Sequence, residues 1–195
     1  MMFPGLRGGI GNPGRLERFY GEVDDILAAT DFLASQPYVD PSRIYLGGHS
    51  TSGTLVLLTA EVSSRFRAVF AFGPIANPMA FIPGFVPVDP RGADPRETTL
   101  RSPLLWLSEI QSDTFVVEGD EYEYANEDDF HLLRAVSTNP KVRFLPARGA
   151  THSSYLASVN ELVAQCILRD GRESDGIRLD SQAFDAAVAS DWWMK

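Results

Sequence analysis

Cysteine is almost absent from this 195-residue chain: Cys166 stands alone, so no internal disulfide and no cysteine-based metal site can form. Its setting in ELVAQCIL reads as the buried face of a helix. Long hydrophobic runs are absent too, since no stretch approaches the ~20 apolar residues of a membrane span. The start, MMFPGLRGGIGNPG, lacks the charged residues and apolar core of a signal peptide, which makes a cytoplasmic location the default expectation. Basic charge is in deficit. A net charge of −9 argues against nucleic acid or an anionic membrane as partner, because both would repel the average surface. Histidine is scarce as well, with three copies, so any chemistry that needs an imidazole has few candidates.

What remains is an ordinary globular composition, 44% hydrophobic and 22% charged, of a length that suits one core. Short apolar runs alternate with helical periodicity, the pattern of a mostly parallel sheet with helices on both faces. MMFPGL is a candidate first strand. RIYLGG (43–48), FRAVFAFG (66–73), TFVVEG (114–119) and VRFLPA (142–147) read as further strands. GEVDDILAATDFLA carries apolar residues at three- and four-residue spacing, STSGTLVLLTAEV is nearly all apolar, and LASVNELVAQCIL closes the core; all three read as helices. The expected organisation is one domain over 1–170, with a Pro- and Gly-rich segment at 74–102 acting as a lid or a long connection, and a tail over 171–195. RETTLRSPLLWLSEI reads as helical with a break at Pro103.

Gly9-Ile10-Gly11-Asn12-Pro13-Gly14 fits the G-x-G-x-x-G dinucleotide fingerprint, but Pro13 stands where the phosphate turn should enter a helix and no acidic residue ends a second strand about 20 residues on. No cofactor is expected. Gly48-His49-Ser50-Thr51-Ser52 is a better lead: it is G-x-S-x-G with serine in place of the last glycine, set between a strand and a buried helix as a nucleophile elbow requires. A serine there also suits a helix cap. Ser52 has no glycine two residues before it and falls inside the first helical turn, so Ser50 is the candidate nucleophile.

A serine hydroxyl needs a base to take its proton. His49 adjoins Ser50 and is expected to point away from it, and His131 sits in the helical pattern DDFHLLRAV. His152, in the loop between the last strand and the last helix, opens at the sheet edge where ligands bind, and is the candidate base. A carboxylate should follow the strand between serine and histidine. TFVVEGDEYEYANEDD offers Asp120, with Glu121 and Glu123 as alternatives.

LRGGIGNPG, the stretch from FYGEVDDIL through PYVDPSRIYLGGHSTSGTLVLLTAE, RFRAVFAFGP, LRSPLLWLSEI, TFVVEG and GATHSSYLASVNELVA together resemble the catalytic domain of prolyl-oligopeptidase-like α/β-hydrolases over about residues 4–168. The resemblance implies that Ser50 is the nucleophile, that Ser52 replaces the first of two paired glycines, and that His152 is the general base. The family acid usually falls three residues past the strand-ending glycine; that position is Tyr122, so the acid shifts to Asp120, Glu121 or Glu123. Similar hydrolases begin with further strands and a histidine–glycine–glycine loop that helps bind the oxyanion, so the resemblance implies an N-terminally truncated domain with a natural start upstream of Met1. The backbone N–H of Thr51 supplies one oxyanion donor, and RGGIGNPG stands after the wrong strand to supply the second. The implied activity is hydrolysis of a small peptide or ester substrate through an acyl-enzyme on Ser50. The alternatives are a carboxylesterase or lipase-like hydrolase, and an impaired domain serving as a binding module.

Overall fold

A computed structural model describes residues 1–9, 11–81, 95–121, 126–171 and 176–190 of the protein. Among the described residues of the first twenty none is in a strand: MMFPGL is irregular, Pro4 having no N–H to give to a ladder and Gly9 N closing a turn on the Leu6 carbonyl at 3.1 Å. Arg7 fastens this segment to the first helix, α1 (Gly21–Ala34), by hydrogen bonds from its backbone N–H and its guanidinium to Asp25. Within RGGIGNPG, Gly8 N donates to the Pro13 carbonyl, and Asn12 Nδ2 donates to the carbonyl of Leu6 just before it.

Next come β1 (Tyr45–His49), α2 (Thr51–Val62) and β2 (Ala68–Phe72), then two short helices, α3 (Pro78–Phe81) and α4 (Pro95–Leu100). The helical pattern expected from Arg96 to Ile110 does break at Pro103, into tight turns at Pro103–Leu105 and Leu107–Glu109. β3 (Asp113–Gly119), α5 (Asn126–Val136), β4 (Val142–Ala147), α6 (Leu156–Arg169) and α7 (Ser181–Ala189) complete the chain order.

The four strands form one parallel sheet in the order β1-β2-β3-β4. Parallel strands need helical crossovers; α2 and α5 cross on one face, and α6 and α7, which follow the last strand, cover the other. On one face α1 and α2 pack over Val69, Ala71 and Val116, with Phe130 and Leu133 of α5 beside them. On the other, Tyr155, Val159 and Val163 pack over Phe70, Phe72 and Phe115. The architecture is a three-layer α/β sandwich. β2 is buried at every position, as its unbroken AVFAF run requires. α2 is apolar all round because it lies between the sheet and α1; Leu57 is wholly buried, and such burial stabilises by ~1.5–3 kcal/mol per side chain. The sequence leaves open whether the tail packs; Phe184 and Val188 of α7 lie in the same core as Tyr155.

The C-terminal end of α6 is locked beneath the sheet by a buried carboxylate. Asp170 accepts two hydrogen bonds from the Arg67 guanidinium, at 2.9 and 3.0 Å, and one from the Tyr45 hydroxyl at 2.6 Å. Cys166 is only half-buried, with its thiol 3.6 Å from the Arg178 carbonyl. No helix among the described residues is long and apolar enough to cross a membrane.

Candidate active site

Ser50 stands between the end of β1 and the start of α2 with φ 58° and ψ −119°. A non-glycine residue in that region stores on the order of 1–3 kcal/mol, so the surrounding structure has to hold it there. It does so through the backbone: Ser50 N donates to the Phe72 carbonyl of β2 at 2.8 Å, and the Ser50 carbonyl receives Thr54 N at 3.1 Å. The Ser50 side chain does not cap α2, so the helix-cap role that the sequence also allows is not the one it plays. Thr54 is wholly buried and accepts a hydrogen bond from Ile75 N at 2.8 Å, tying α2 to the loop after β2.

The tightness of the turn falls on two glycines. A Cβ on Gly48 would lie 2.4 Å from the Ser52 carbonyl oxygen, and one on Gly53 would lie 2.4 Å from the Phe72 carbonyl oxygen. Ser52 itself is exposed, so a hydroxymethyl there meets no such obstacle. Thr51 opens α2, where the helix dipole favours negative charge beside its backbone N–H.

His152 sits in the loop after β4 and is buried. Its Nδ1 is 2.9 Å from Oε2 of Glu118, also buried, at the penultimate position of β3. The other carboxylate oxygen, Oε1, accepts a hydrogen bond from Gly119 N at 2.7 Å. Because the partner is a carboxylate, Nδ1 carries the proton and Nε2 presents a lone pair. Gly73, which ends β2 with φ +59°, lies directly against this pair: a Cβ there would be 2.3 Å from His152 Cε1 and 2.9 Å from Glu118 Oε2. The neighbouring Phe72 carbonyl holds Ser50 N, so imidazole, carboxylate and elbow meet at the same ends of adjacent strands.

The carboxylate beside the imidazole is therefore Glu118 rather than those read from the sequence. Asp120 turns to the loop after β4, where its Oδ1 accepts Gly149 N at 2.6 Å. Glu121 is exposed, its backbone N–H held by the Ala150 carbonyl at 3.0 Å, and Glu123 lies outside the described residues. The missed signal was in the strand: Val116 and Glu118 share a face of TFVVEG, and a carboxylate ending a buried strand must find a partner.

The remaining histidines separate clearly. His131 is exposed on α5, 3.5 Å from Glu127. His49 turns not to the hydroxyl beside it but across the strand ends, its Nε2 3.1 Å from the His152 carbonyl oxygen and its ring centroid 4.5 Å from that of His152. Burial pushes the His49 pKa below the usual imidazole range. Asp129 of α5 accepts Ala76 N at 2.9 Å and fastens the loop after β2; burial raises its pKa. Part of the 74–102 connection, residues 82–94, lies outside the described residues. A cavity of about 500 Å³ lies away from the elbow, beside α1 and the C-terminal half of α2, lined by Tyr20, Leu58, Glu61 and Trp106 among others. Among the described residues no three His, Cys, Asp or Glu side chains cluster as metal ligands.

The sequence and the fold have counterparts among known proteins. The chain is 46% identical over 56 residues to the polyketide transferase claH of Penicillium crustosum, a match covering 29% of this chain and 18% of that one. It is 37% identical over 60 residues to the thiohydrolase apmlB of Arthrinium phaeospermum, covering 31% and 20% of the two chains. Among solved structures, an acylaminoacyl peptidase of Pyrococcus horikoshii superposes with a TM-score of 0.66 at 17% identity, covering 87% of this chain and 31% of its own. The protein thus spans less than a third of that peptidase and shares its α/β-hydrolase fold. The sequence model of the prolyl oligopeptidase family matches residues 14–121, more than half of the chain and including the elbow, and the chain belongs to that family.

Proposed function

We propose that the protein is a serine hydrolase that cleaves peptide or ester bonds through an acyl-enzyme on Ser50. The observation that supports this reading is the buried His152–Glu118 pair, 2.9 Å apart, at the same strand ends as Ser50, which stands at φ 58° between a strand and a buried helix. Ser50 Oγ attacks the substrate carbonyl while His152 Nε2 takes its proton. Glu118 holds Nδ1–H and stabilises the imidazolium that forms. The Thr51 backbone N–H donates a hydrogen bond to the tetrahedral oxyanion, aided by the dipole of α2. His152 then returns the proton to the leaving group, and water repeats the sequence to release the acyl group.

Two sequence relatives are named a polyketide transferase and a thiohydrolase, not peptidases, and this supports a second reading in which the substrate is an ester or thioester. An activated ester asks less of leaving-group protonation than an amide does. The test is fluorophosphonate labelling with mapping of the adduct, followed by turnover of a p-nitrophenyl ester against an aminoacyl amide. Labelling on Ser50 that Ser50→Ala abolishes is expected. An adduct that persists on Ser50→Ala, or that maps to Ser52, removes the reading.

A further inference from the structure

We propose that His49 is a positioning residue for the candidate base: its Nε2–H clamps the His152 carbonyl to the end of β1 and fixes the imidazole over the elbow. The inference rests on the serine-hydrolase reading for its consequence in catalysis, but the clamp is a matter of geometry.

β1 and β4 lie at opposite edges of the sheet, and neighbouring strands are ~4.8 Å apart, so the loop after β4 must reach back over two strand ends to bring His152 to Ser50. Three of the hydrogen bonds that hold it there lie at or next to His152. Thr151 N donates to Ser154 Oγ at 2.9 Å within the loop, His152 Nδ1 meets Glu118 on β3 at 2.9 Å, and the His152 carbonyl meets His49 on β1 at 3.1 Å. Of these, the bond to His49 joins the loop to the strand that carries the nucleophile.

A carbonyl oxygen only accepts, so His49 Nε2 must carry a proton, and in the neutral ring Nδ1 is then bare. Neutrality matters because the two ring centroids are 4.5 Å apart and His152 becomes positively charged when it takes the serine proton. The titratable groups facing His49 are His152, from the loop after β4, and Glu118, from β3. Burial is the larger influence, and it keeps the His49 ring uncharged at neutral pH. In acid a second positive charge beside His152 opposes proton uptake by the base.

The experiment uses the full chain, whose three histidines allow each imidazole to be assigned by single substitution. Nitrogen-15 NMR is expected to find His49 as the Nε2–H tautomer, titrating below the usual imidazole range, and His152 as the Nδ1–H tautomer. His49→Phe keeps a ring and removes the donor; fluorophosphonate labelling of Ser50 should fall about 10- to 100-fold, the cost of a misplaced base, and the His152 resonances should move. His49→Gln keeps an N–H donor without a titrating ring and should recover most of the rate, with the acid limb of the pH–rate curve shallower by one proton. A His49 bearing its proton on Nδ1, or a folded His49→Phe that labels at the original rate with an unchanged His152 titration, overturns the clamp. Failure of the unsubstituted chain to label counts against the serine-hydrolase reading alone, since the tautomer and the His152 titration decide the clamp without turnover.

Discussion

Gly73→Ala is the perturbation that reaches the candidate site without altering any group assigned to chemistry. Gly73 has φ +59°, so any L side chain there incurs the left-handed penalty of about 1–2 kcal/mol. The added methyl would also stand 2.3 Å from His152 Cε1, 2.7 Å from Nδ1 and 2.9 Å from Glu118 Oε2. Ordinary carbon contacts begin near 3.5 Å, so the imidazole must retreat by about 1 Å. A displacement of that size costs on the order of 100-fold in rate, which is about 2.7 kcal/mol of transition-state stabilisation. Gly73 N also donates to the Val117 carbonyl at 2.8 Å, a bond that alanine retains, so the sheet should survive. Two measurements separate the effects: urea unfolding, expected to show a loss of about 1–2 kcal/mol, and the second-order rate of fluorophosphonate labelling at Ser50, expected to fall about 100-fold in protein shown to be folded. Labelling at the original rate would refute the placement of His152 against Gly73, and with it the reason a glycine ends β2.

Further substitutions probe the same frame. Glu118→Gln should leave the fold intact and lower turnover by roughly 10⁴-fold, because an amide no longer fixes the Nδ1–H tautomer; the same change at Asp120 should alter turnover little, and the reverse order, read from kcat, would return the acid to the position beyond the strand. Asp170→Ala strands the Arg67 guanidinium and the Tyr45 hydroxyl and should destabilise the chain by roughly 3 kcal/mol in chemical denaturation. Glu61 has a carboxylate oxygen with no hydrogen-bond partner, and burial raises its pKa well above the usual range, so the folded state holds its proton more tightly than the unfolded chain does. Its contribution is fully present below the ordinary glutamate range and is lost as pH rises through the folded value, at up to ~1.4 kcal/mol per pH unit. Glu61→Gln should therefore be the more stable form at neutral pH, with the two melting curves converging near about pH 4.

Much of this architecture was written in short-range patterns. The four strands of the sheet and the three principal helices fall where alternation of apolar runs and three- and four-residue spacing put them, because burial acts on each segment separately. MMFPGL failed as a strand for a related reason: six residues that read as apolar say nothing of whether a neighbouring strand is present to pair with them. The positions of Ser50 and His152 past the strand ends were legible because chain order constrains them. Glu118 was not, since an acidic run after Gly119 drew attention away from a carboxylate inside the strand. His49 does point away from Ser50, as expected, but its partner was not legible. Adjacency in sequence to Ser50 predicts a side chain on the opposite side of β1, but it says nothing of a loop arriving from β4, a hundred residues later.

The departure of the elbow from G-x-S-x-G follows from where its glycines are needed. The first must be small because the carbonyl and Cβ of Ser52 crowd its Cα, and the glycine at 53 must be small because the Phe72 carbonyl faces it. The Phe72 carbonyl also receives Ser50 N, so a larger residue at 53 would push on the bond that holds Ser50 at positive φ. Position 52 lies on the exposed side of the first turn of α2, where a hydroxymethyl displaces nothing. What a nucleophile elbow requires is therefore close approach of β1, α2 and β2, and the fifth position of the motif is only one of the places from which that approach can be secured. Here Gly53 secures it one residue later, and Gly73 does the same for the imidazole and carboxylate one strand over, so both halves of the candidate site depend on the end of β2.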